Sequence, residues 1–260
     1  MNLEAQAQSS STQKPSKLRT TAIFDLGSNL YPVGSEFYSA SSSLVLIPNY
    51  RFHPSWSVGM VLSASKDWTG ESELTLLDPA LKLSRSAATL NPYLSIAPSF
   101  GIVLPVSERS RSRESMIVAA RSSLRLNADL AALKKPVVQN VSASYELGVS
   151  RAFHEYSTSS TGSVNTAWRI SNLASVAYTF NPKWSVSADF MRSVGLSYQG
   201  GARHAFSVGE TLNYEFDPRV SFSVGHSNEG DVLRANGVDS NISIFDSTNS
   251  RVFTSLTVIF

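Results

Sequence analysis

The sequence predicts an all-β chain, an antiparallel up-and-down β-barrel of about twelve strands. Three observations predict it. Apolar residues recur at every second position through most of the chain, the period of a strand with two unlike faces. The alternating segments are long, most of them about 12–17 residues against a usual strand of about 5–6. A turn motif also recurs three times, at places that put all three copies on one end of such a barrel.

Residues 184–198, WSVSADFMRSVGLSY, show the alternation plainly. One parity carries Trp184, Val186, Ala188, Phe190, Val194, Leu196 and Tyr198; the other carries Ser185, Ser187, Asp189, Ser193, Gly195 and Ser197. The segments of this kind are 18–31, 37–52, 56–67, 73–85, 93–107, 115–130, 137–153, 165–180, 184–198, 202–216, 220–227 and 251–260. Spread over the chain they leave about 22 residues for each strand with its connection, and a tilted strand needs roughly 9–11 residues to cross a bilayer. A face of Leu, Val and aromatics opposite a face of Ser, Gly and Asn suits a transmembrane barrel with lipid outside and a wet lumen. The competing fold is a soluble β-sandwich or β-helix, whose strands are shorter and turn their polar face outward.

Composition agrees. Of 260 residues, 42% are hydrophobic and 16% charged, the latter below the roughly 25% of soluble domains. With 22 basic and 20 acidic residues the net charge is only +2, which is no nucleic-acid footprint. The sequence has no apolar run of about 20 residues, so helical membrane spans are excluded. It has no cysteine, which excludes a disulfide framework, a cysteine zinc site and a thiol nucleophile. No metal-ligand cluster, phosphate loop or cofactor is expected. Residues 1–17 are polar, rich in Ser and Gln, and read as a disordered tail before a barrel over 18–260. No basic start precedes an apolar run, so the expectation is that a secretory signal has been removed and that Met1 is an expression start.

The turn motif is Tyr-x-Phe, three residues centred on Pro, then an apolar residue, Ser and a second apolar residue. Its copies begin at Tyr50, Tyr178 and Tyr214, with prolines Pro54, Pro182 and Pro218. Proline presets a tight turn and cannot donate to a ladder, so it belongs between strands. By strand count the three turns join strands 2 and 3, 8 and 9, and 10 and 11, all on one side. The remaining connections on that side, 86–92 and 131–136, are short, whereas the other side carries longer polar loops such as 154–164 and 228–250. Tyr50, Trp56, Tyr178, Trp184 and Tyr214 cluster beside these turns and are expected to form one aromatic belt at the membrane interface, with Phe260 at the same level.

These features resemble a Gram-negative outer-membrane β-barrel protein over residues 18–260. The last ten residues, RVFTSLTVIF, sharpen the resemblance: Phe260 ends the chain with Val258, Leu256 and Val252 on its face. What the resemblance implies is an outer-membrane, porin-like channel with short periplasmic turns and both termini periplasmic. Its implied partners are outer-membrane lipid and lipopolysaccharide, and the assembly machinery, which would read the strand ending in Phe260.

The lumen parity carries Asp25, Arg51, Asp67, Asp78, Lys82, Arg121, Arg125, Asp129, Glu146, Arg169, Asp189, Arg203 and Glu215. Water or a partner solvates charges there, whereas Arg or Lys at mid-depth on a lipid face costs roughly 2–4 kcal/mol. Two readings stand: cross-strand ion pairs that brace the interior, or a constriction. In the second, Arg121, Arg125, Asp129, Asp78, Lys82, Glu146, Arg169 and Asp189 line the passage, with Arg121 and Arg125 opposed by Asp78 and Glu146. Arg192 and Glu210 fall on the apolar parity, which calls for a register bulge, a place near the rim, or a pair between them. Three arginines at 107–114 could touch lipopolysaccharide phosphates or form a solvated loop.

An enzyme is not expected. Gly225-His226-Ser227-Asn228 is similar to the His-x-Ser-Asn motif of outer-membrane lipid hydrolases but lacks the intervening residue. Adjacent residues of a strand point to opposite faces, so His226 and Ser227 cannot act as base and nucleophile. Two functions fit these features. One is a narrow passive channel for small hydrophilic or amphipathic solutes. The other is a structural or interaction barrel, closed or plugged, that anchors a periplasmic protein partner or surface complex through its tail, turns and loops.

Overall fold

The computed structural model describes residues 17–69, 73–130, 140–234 and 236–260. The expected tail and the connection over 131–136 lie outside the described residues. The described residues are almost entirely antiparallel β, and they close into a barrel of twelve staves. The first three staves are β1 (Leu18–Asn29), β2 (Ala40–His53) and β3 (Trp56–Asp67). The fourth is broken into β4 (Leu74–Leu76), β5 (Ala80–Arg85) and β6 (Ala88–Asn91). Then come β7 (Leu94–Val103), β8 (Met116–Asp129), β9 (Val141–His154) and β10 (Thr166–Asn181). The last four are β11 (Trp184–Ser197), β12 (Ala202–Asp217), β13 (Val220–Asp231) and β14 (Ser250–Ile259). Each stave pairs with its sequence neighbours, and β1 pairs with β14 from Thr21↔Ile259 to Asn29↔Arg251 to close the ring.

The fourth stave departs from the expected single strand over 73–85. Pro79 has no N–H to give, and an extra residue at Leu77–Pro79 shifts the pairing with β3 between Ala64↔Leu76 and Val61↔Ala80. The segment 86–92, expected as a turn, instead carries β6, which pairs with β7 through Ala88↔Ile96 and Thr89↔Ser95. The turn itself is Asn91-Pro92-Tyr93, a fourth proline turn beside those at Pro54, Pro182 and Pro218.

In all four turns the residue before proline caps the turn with its own side chain. Asn181 Oδ1 accepts from the N–H groups of Lys183 and Trp184, and Asp217 Oδ1 from those of Arg219 and Val220. Asn91 Oδ1 accepts from Tyr93 N–H, and His53 Nδ1 from Ser55 N–H. A short polar side chain thus replaces the backbone acceptor that a tight turn lacks.

The register fixes the tilt. One row of paired residues runs Arg19, Asn49, Gly59, Lys82, Gly101, Arg121. Another runs Gly27, Phe253, Gly225, Thr211, Ser187, Ala177, Ser142, Asp129. On β8 the second row lies eight residues closer to the proline-turn end (Asp129 against Arg121). On β1 it lies eight residues closer to the other, loop end (Gly27 against Arg19). One circuit therefore advances the register by 16 residues. With about 3.3 Å per residue and 4.8 Å between strands, the staves tilt by about 42° and each residue climbs about 2.4 Å.

Facing residues share a side, so the rows also sort the two faces. Tyr50, Trp56, Tyr178, Trp184, Tyr214 and Phe260 all face outward at the turn end. Four of the neighbouring contacts join rings: Tyr178–Phe180 at 6.4 Å, Phe180–Trp184 at 6.5 Å, Trp184–Tyr214 at 4.7 Å and Tyr214–Phe216 at 4.8 Å. A second outward cluster sits at the loop end, where the Arg151 guanidinium lies over Trp168 at 5.0 Å, Tyr198 at 5.1 Å and Phe153 at 5.5 Å. Tyr178 and Trp168 are ten residues apart on β10, which places the two aromatic levels about 24 Å apart.

Arg192 and Glu210 do face outward, and the pairing around them has no bulge. They are not partners: Arg192 lies opposite Asn172 and Phe206, and Glu210 opposite Ala188 and His226. His226 Nδ1 is 3.0 Å from Glu210 Oε2. The connection between β13 and β14 explains the burial of outward residues above this pair. It folds over the outer wall, where Asn228 Nδ2 donates to the Ser243 carbonyl (2.8 Å) and hydroxyl (3.0 Å), and Phe245 stacks on His226 with centroids 5.9 Å apart. Phe206, Asn228 and Ser250 are almost completely buried as a result.

The turn caps are testable. Asn181→Ala removes two acceptor contacts and is expected to lower stability by about 1 kcal/mol, the net worth of a typical hydrogen bond. Asn181→Asp, which keeps the acceptor, stays close to wild type. Urea unfolding of the refolded barrel followed by tryptophan fluorescence measures both.

Candidate channel lumen

The inward face is built by the second parity of every stave, and the register brings its charges into order. Along one row Lys82, Arg121, Arg169 and Arg203 stand on alternate staves, with Gly101, Ser150 and Gly195 between them. The gaps carry small or absent side chains, so each cation has room to project. Because the rows are inclined, the four cations climb the wall as a ramp from mid-barrel to the loop end and do not form a ring.

Arg125 and Glu146 face each other across β8 and β9, and they form a two-point contact: Arg125 Nη2 is 2.6 Å from Glu146 Oε2, and Nε donates to the same oxygen at 2.7 Å. Lys82 lies within electrostatic range of Glu146. Arg121 lies within range of Arg169 and Asp78. Asp189 faces inward on β11 opposite Gly209, well below the ramp, and Asp129 lies at the turn end of β8 opposite Ser142. The expected lining residues are therefore spread over several levels. Arg125 and Glu146 are brought together as a bracing pair, and Arg121 stands apart from them.

Asp78 has a different place from the one expected. It sits in the break of the fourth stave and is engaged by the connection between β7 and β8. Its Oδ1 accepts from the N–H groups of Val106 and Ser107, both at 2.8 Å, and its Oδ2 accepts from the Ser110 hydroxyl. A π-helical turn, Arg109–Arg113, follows at once. Ser107 and Ser110 are buried, as are Val103 and Ala119, which face the lumen at this end. The connection therefore folds inward over the loop-end mouth. A second connection locks to it: Asn165 Nδ2 donates to the carbonyls of Glu114 and Tyr156, and Ser160 N–H donates to the Arg113 carbonyl. Within the 107–114 segment, Arg109 pairs with Glu114 at 2.8 Å and Arg113 with Glu108 at 4.0 Å.

Facing the charged wall, staves β14, β1, β2 and β3 turn apolar groups inward. Phe253, Ile23, Val45, Ile47 and Val61 all share the inward parity with Gly27, Asp25 and Ser43. The Phe253 ring lies across Gly225, where a Cβ would collide with it. The lumen is thus two-sided, with cations and an ion pair on staves four to ten and, on staves twelve, one, two and three, hydrocarbon interspersed with the inward charges Asp25, Arg51, Asp67 and Arg251. This apolar half was not anticipated from alternation. Its signal is the loss of alternation itself, in the unbroken runs Ala22-Ile23-Phe24 and Leu44-Val45-Leu46-Ile47.

No family model matches the chain, and no curated protein matches it in sequence. Solved structures do match in fold. An outer membrane channel from Pseudomonas putida F1 superposes with a TM-score of 0.64 at 13% identity, covering 95% of this chain and 96% of that one. The NanC porin gives 0.56 at 8% identity over 94% and 99% of the two chains. The KdgM porin, in complex with disordered oligogalacturonate, gives 0.51 at 12% identity over 93% and 99%. At these identities the likeness is one of fold: this chain has the closed twelve-stave barrel of outer-membrane channels and porins.

The Asp78 clasp is testable. Asp78→Ala removes three acceptor contacts at once. The amides of Val106 and Ser107 are then expected to exchange with solvent at least tenfold faster, as loss of about 1.4 kcal/mol or more requires. Hydrogen–deuterium exchange by NMR reads this, and unchanged exchange at Val106 and Ser107 would show that the clasp does not hold the loop.

Proposed function

We propose that this chain is a bacterial outer-membrane barrel acting as a narrow passive channel for small hydrophilic or amphipathic solutes. The observation that carries the reading is the two-sided lumen: a ramp of Lys82, Arg121, Arg169 and Arg203 facing Phe253, Ile23, Val45, Ile47 and Val61. A solute with a charged or polar head and an apolar body meets a complementary wall on each side. Twelve staves lie between the filled eight-stranded barrel and the open sixteen-stranded one, and the inward connection at 104–114 narrows the loop-end mouth further. The fold shared with three channels and porins supports the same reading.

In this placement the two aromatic levels, about 24 Å apart, bracket an apolar band of about 25 Å. The proline turns and Phe260 then face the periplasm, and the longer connections face outside. Tyr50, Trp56, Tyr178, Trp184, Tyr214 and Phe260 serve as the periplasmic belt, and the final strand is the segment the assembly machinery reads. Arg151 in its aromatic box, and the arginines at 107–114, are the groups placed to meet lipopolysaccharide. A second reading, a plugged barrel with an anchoring or display role, is favoured by one observation: the clasp of Asp78 on the inward connection.

Planar-bilayer recording separates the two. The wild type is expected to conduct in small discrete steps with an anion preference, because the ramp gathers Lys82, Arg121, Arg169 and Arg203 on one stretch of wall, with Asp129 and Asp189 well below it. Arg121→Ala with Arg125→Ala shifts selectivity toward cations. A silent wild type would favour the plugged barrel. A conducting double variant with unchanged selectivity would remove Arg121 and Arg125 from the lining.

A further inference from the structure

The outward face is uneven. Over most of the barrel its middle is Leu, Ile and Phe, as with Leu26, Leu44, Leu62, Leu81, Phe100 and Leu124. Across four adjacent staves, β10 to β13, the stretch between the aromatic levels instead carries Asn172, Arg192, Glu210 and His226, with Ala174 and Ala188 beside them. Arg192 stands eight residues above Trp184 on β11, about 19 Å up, and Glu210 four above Tyr214 on β12, about 10 Å up. Both lie between the two aromatic levels. Arg192 has neither a hydrogen bond nor an ion pair among the described residues. Tyr145 donates its hydroxyl proton to Asn172 Oδ1 at 2.5 Å, and Glu210 holds His226, but neither contact reaches the guanidinium.

We propose that this face of β11 and β12 is where a second copy of the chain docks within the membrane, as a two-fold dimer. The charges are self-complementary. A two-fold axis along the barrel, between β11 and β12, sets β11 of one copy against β12 of the other. The axis leaves every residue at its own height, so the long Arg192 side chain of each copy reaches down, across an offset of roughly 9 Å, to Glu210 of its partner, giving two reciprocal ion pairs. Ala188 leaves room beside the Glu210 carboxylate, while Phe190 and Val208, paired between Ala188–Glu210 and Arg192–Phe206, form an apolar centre for the contact. The connection over the outer wall, with Phe245 on His226, closes the site toward β13 and leaves Arg192 as the open cation. The proposal rests on the membrane placement given above, and it is independent of whether the lumen conducts.

The test uses the full chain in lipid nanodiscs large enough for two barrels and in native outer-membrane vesicles. Native mass spectrometry is expected to show a dimer. Arg192→Glu or Glu210→Arg alone should raise its dissociation at least tenfold, and the double exchange should restore it. Folding of each variant is checked by the heat-dependent gel shift of the closed barrel. The chain has no cysteine, so Ala188→Cys with a bismaleimide crosslinker provides a second measurement that leaves both charges in place. It should yield a band of twice the chain mass, and Leu62→Cys on the far wall should not. A wild type that remains monomeric, with Ala188→Cys linking no more than Leu62→Cys, overturns the proposal. So does a monomer that retains lipopolysaccharide through Arg192 and loses it in Arg192→Glu. Barrel insertion failing in the wild type itself, read by the same gel shift, would overturn the membrane placement and the dimer with it, whereas a silent but dimeric barrel would overturn only the channel.

Discussion

Closure of the hydrogen-bond ladder is the constraint on which everything else depends. Every stave but the first and last finds both neighbours in sequence, and only the β1–β14 pairing removes the remaining edges. An open edge of this length is a template for aggregation and has no standing in hydrocarbon. Closing twelve staves with a 16-residue advance sets the tilt, and the tilt decides which side chains share a level. The faces follow just as rigidly, because a slip of one residue would exchange the outward and inward sets. The basic ramp, the apolar half of the lumen and the outward belt are therefore consequences of one number, the register.

Much of this was legible in the sequence because strand alternation has a period of two and is hard to mistake over a dozen long segments. The strand Trp56–Asp67 has the bounds that alternation predicts, and the faces assigned to Arg121, Arg125, Glu146 and Asp189 are those the pairing produces. What escaped was whatever breaks alternation. Pro79 split the fourth stave, and the turn fell at Asn91-Pro92-Tyr93, the end of the expected connection over 86–92, whose earlier residues pair as β6. The inward Ile23, Val45 and Ile47 were hidden in runs that are apolar on both faces. Long-range hydrogen bonds leave no periodic trace at all. Asp78 looked like one more lumen charge because nothing local shows that Val106, Ser107 and Ser110, some 30 residues on, will claim its oxygens.

The two long connections on the loop side solve opposite problems. The one after β7 turns inward and is held at its start by three hydrogen bonds to Asp78 and at its end by the contacts of Asn165 and Ser160 with its backbone. The one after β13 turns outward and is held by Asn228, Ser250 and a ring stacked on His226. The first reshapes the lumen. The second converts a stretch of outer wall bearing a buried amide and an imidazole into one whose polar groups are covered by protein. Each is anchored to a residue that would otherwise stand as an uncompensated polar group on a smooth barrel.

The seam has a consequence for synthesis. Its last rungs join Thr20 and Phe260 by two backbone hydrogen bonds, 2.9 and 3.2 Å long, across 240 positions of sequence. No partial chain emerging from a ribosome can make them. Until β14 is present, β1 and β13 both expose a full row of unpaired amides and carbonyls, and the loop entropy of bringing the two ends together must be met in one late step. Such a chain gains little from folding early and has much to lose by pairing with a stranger.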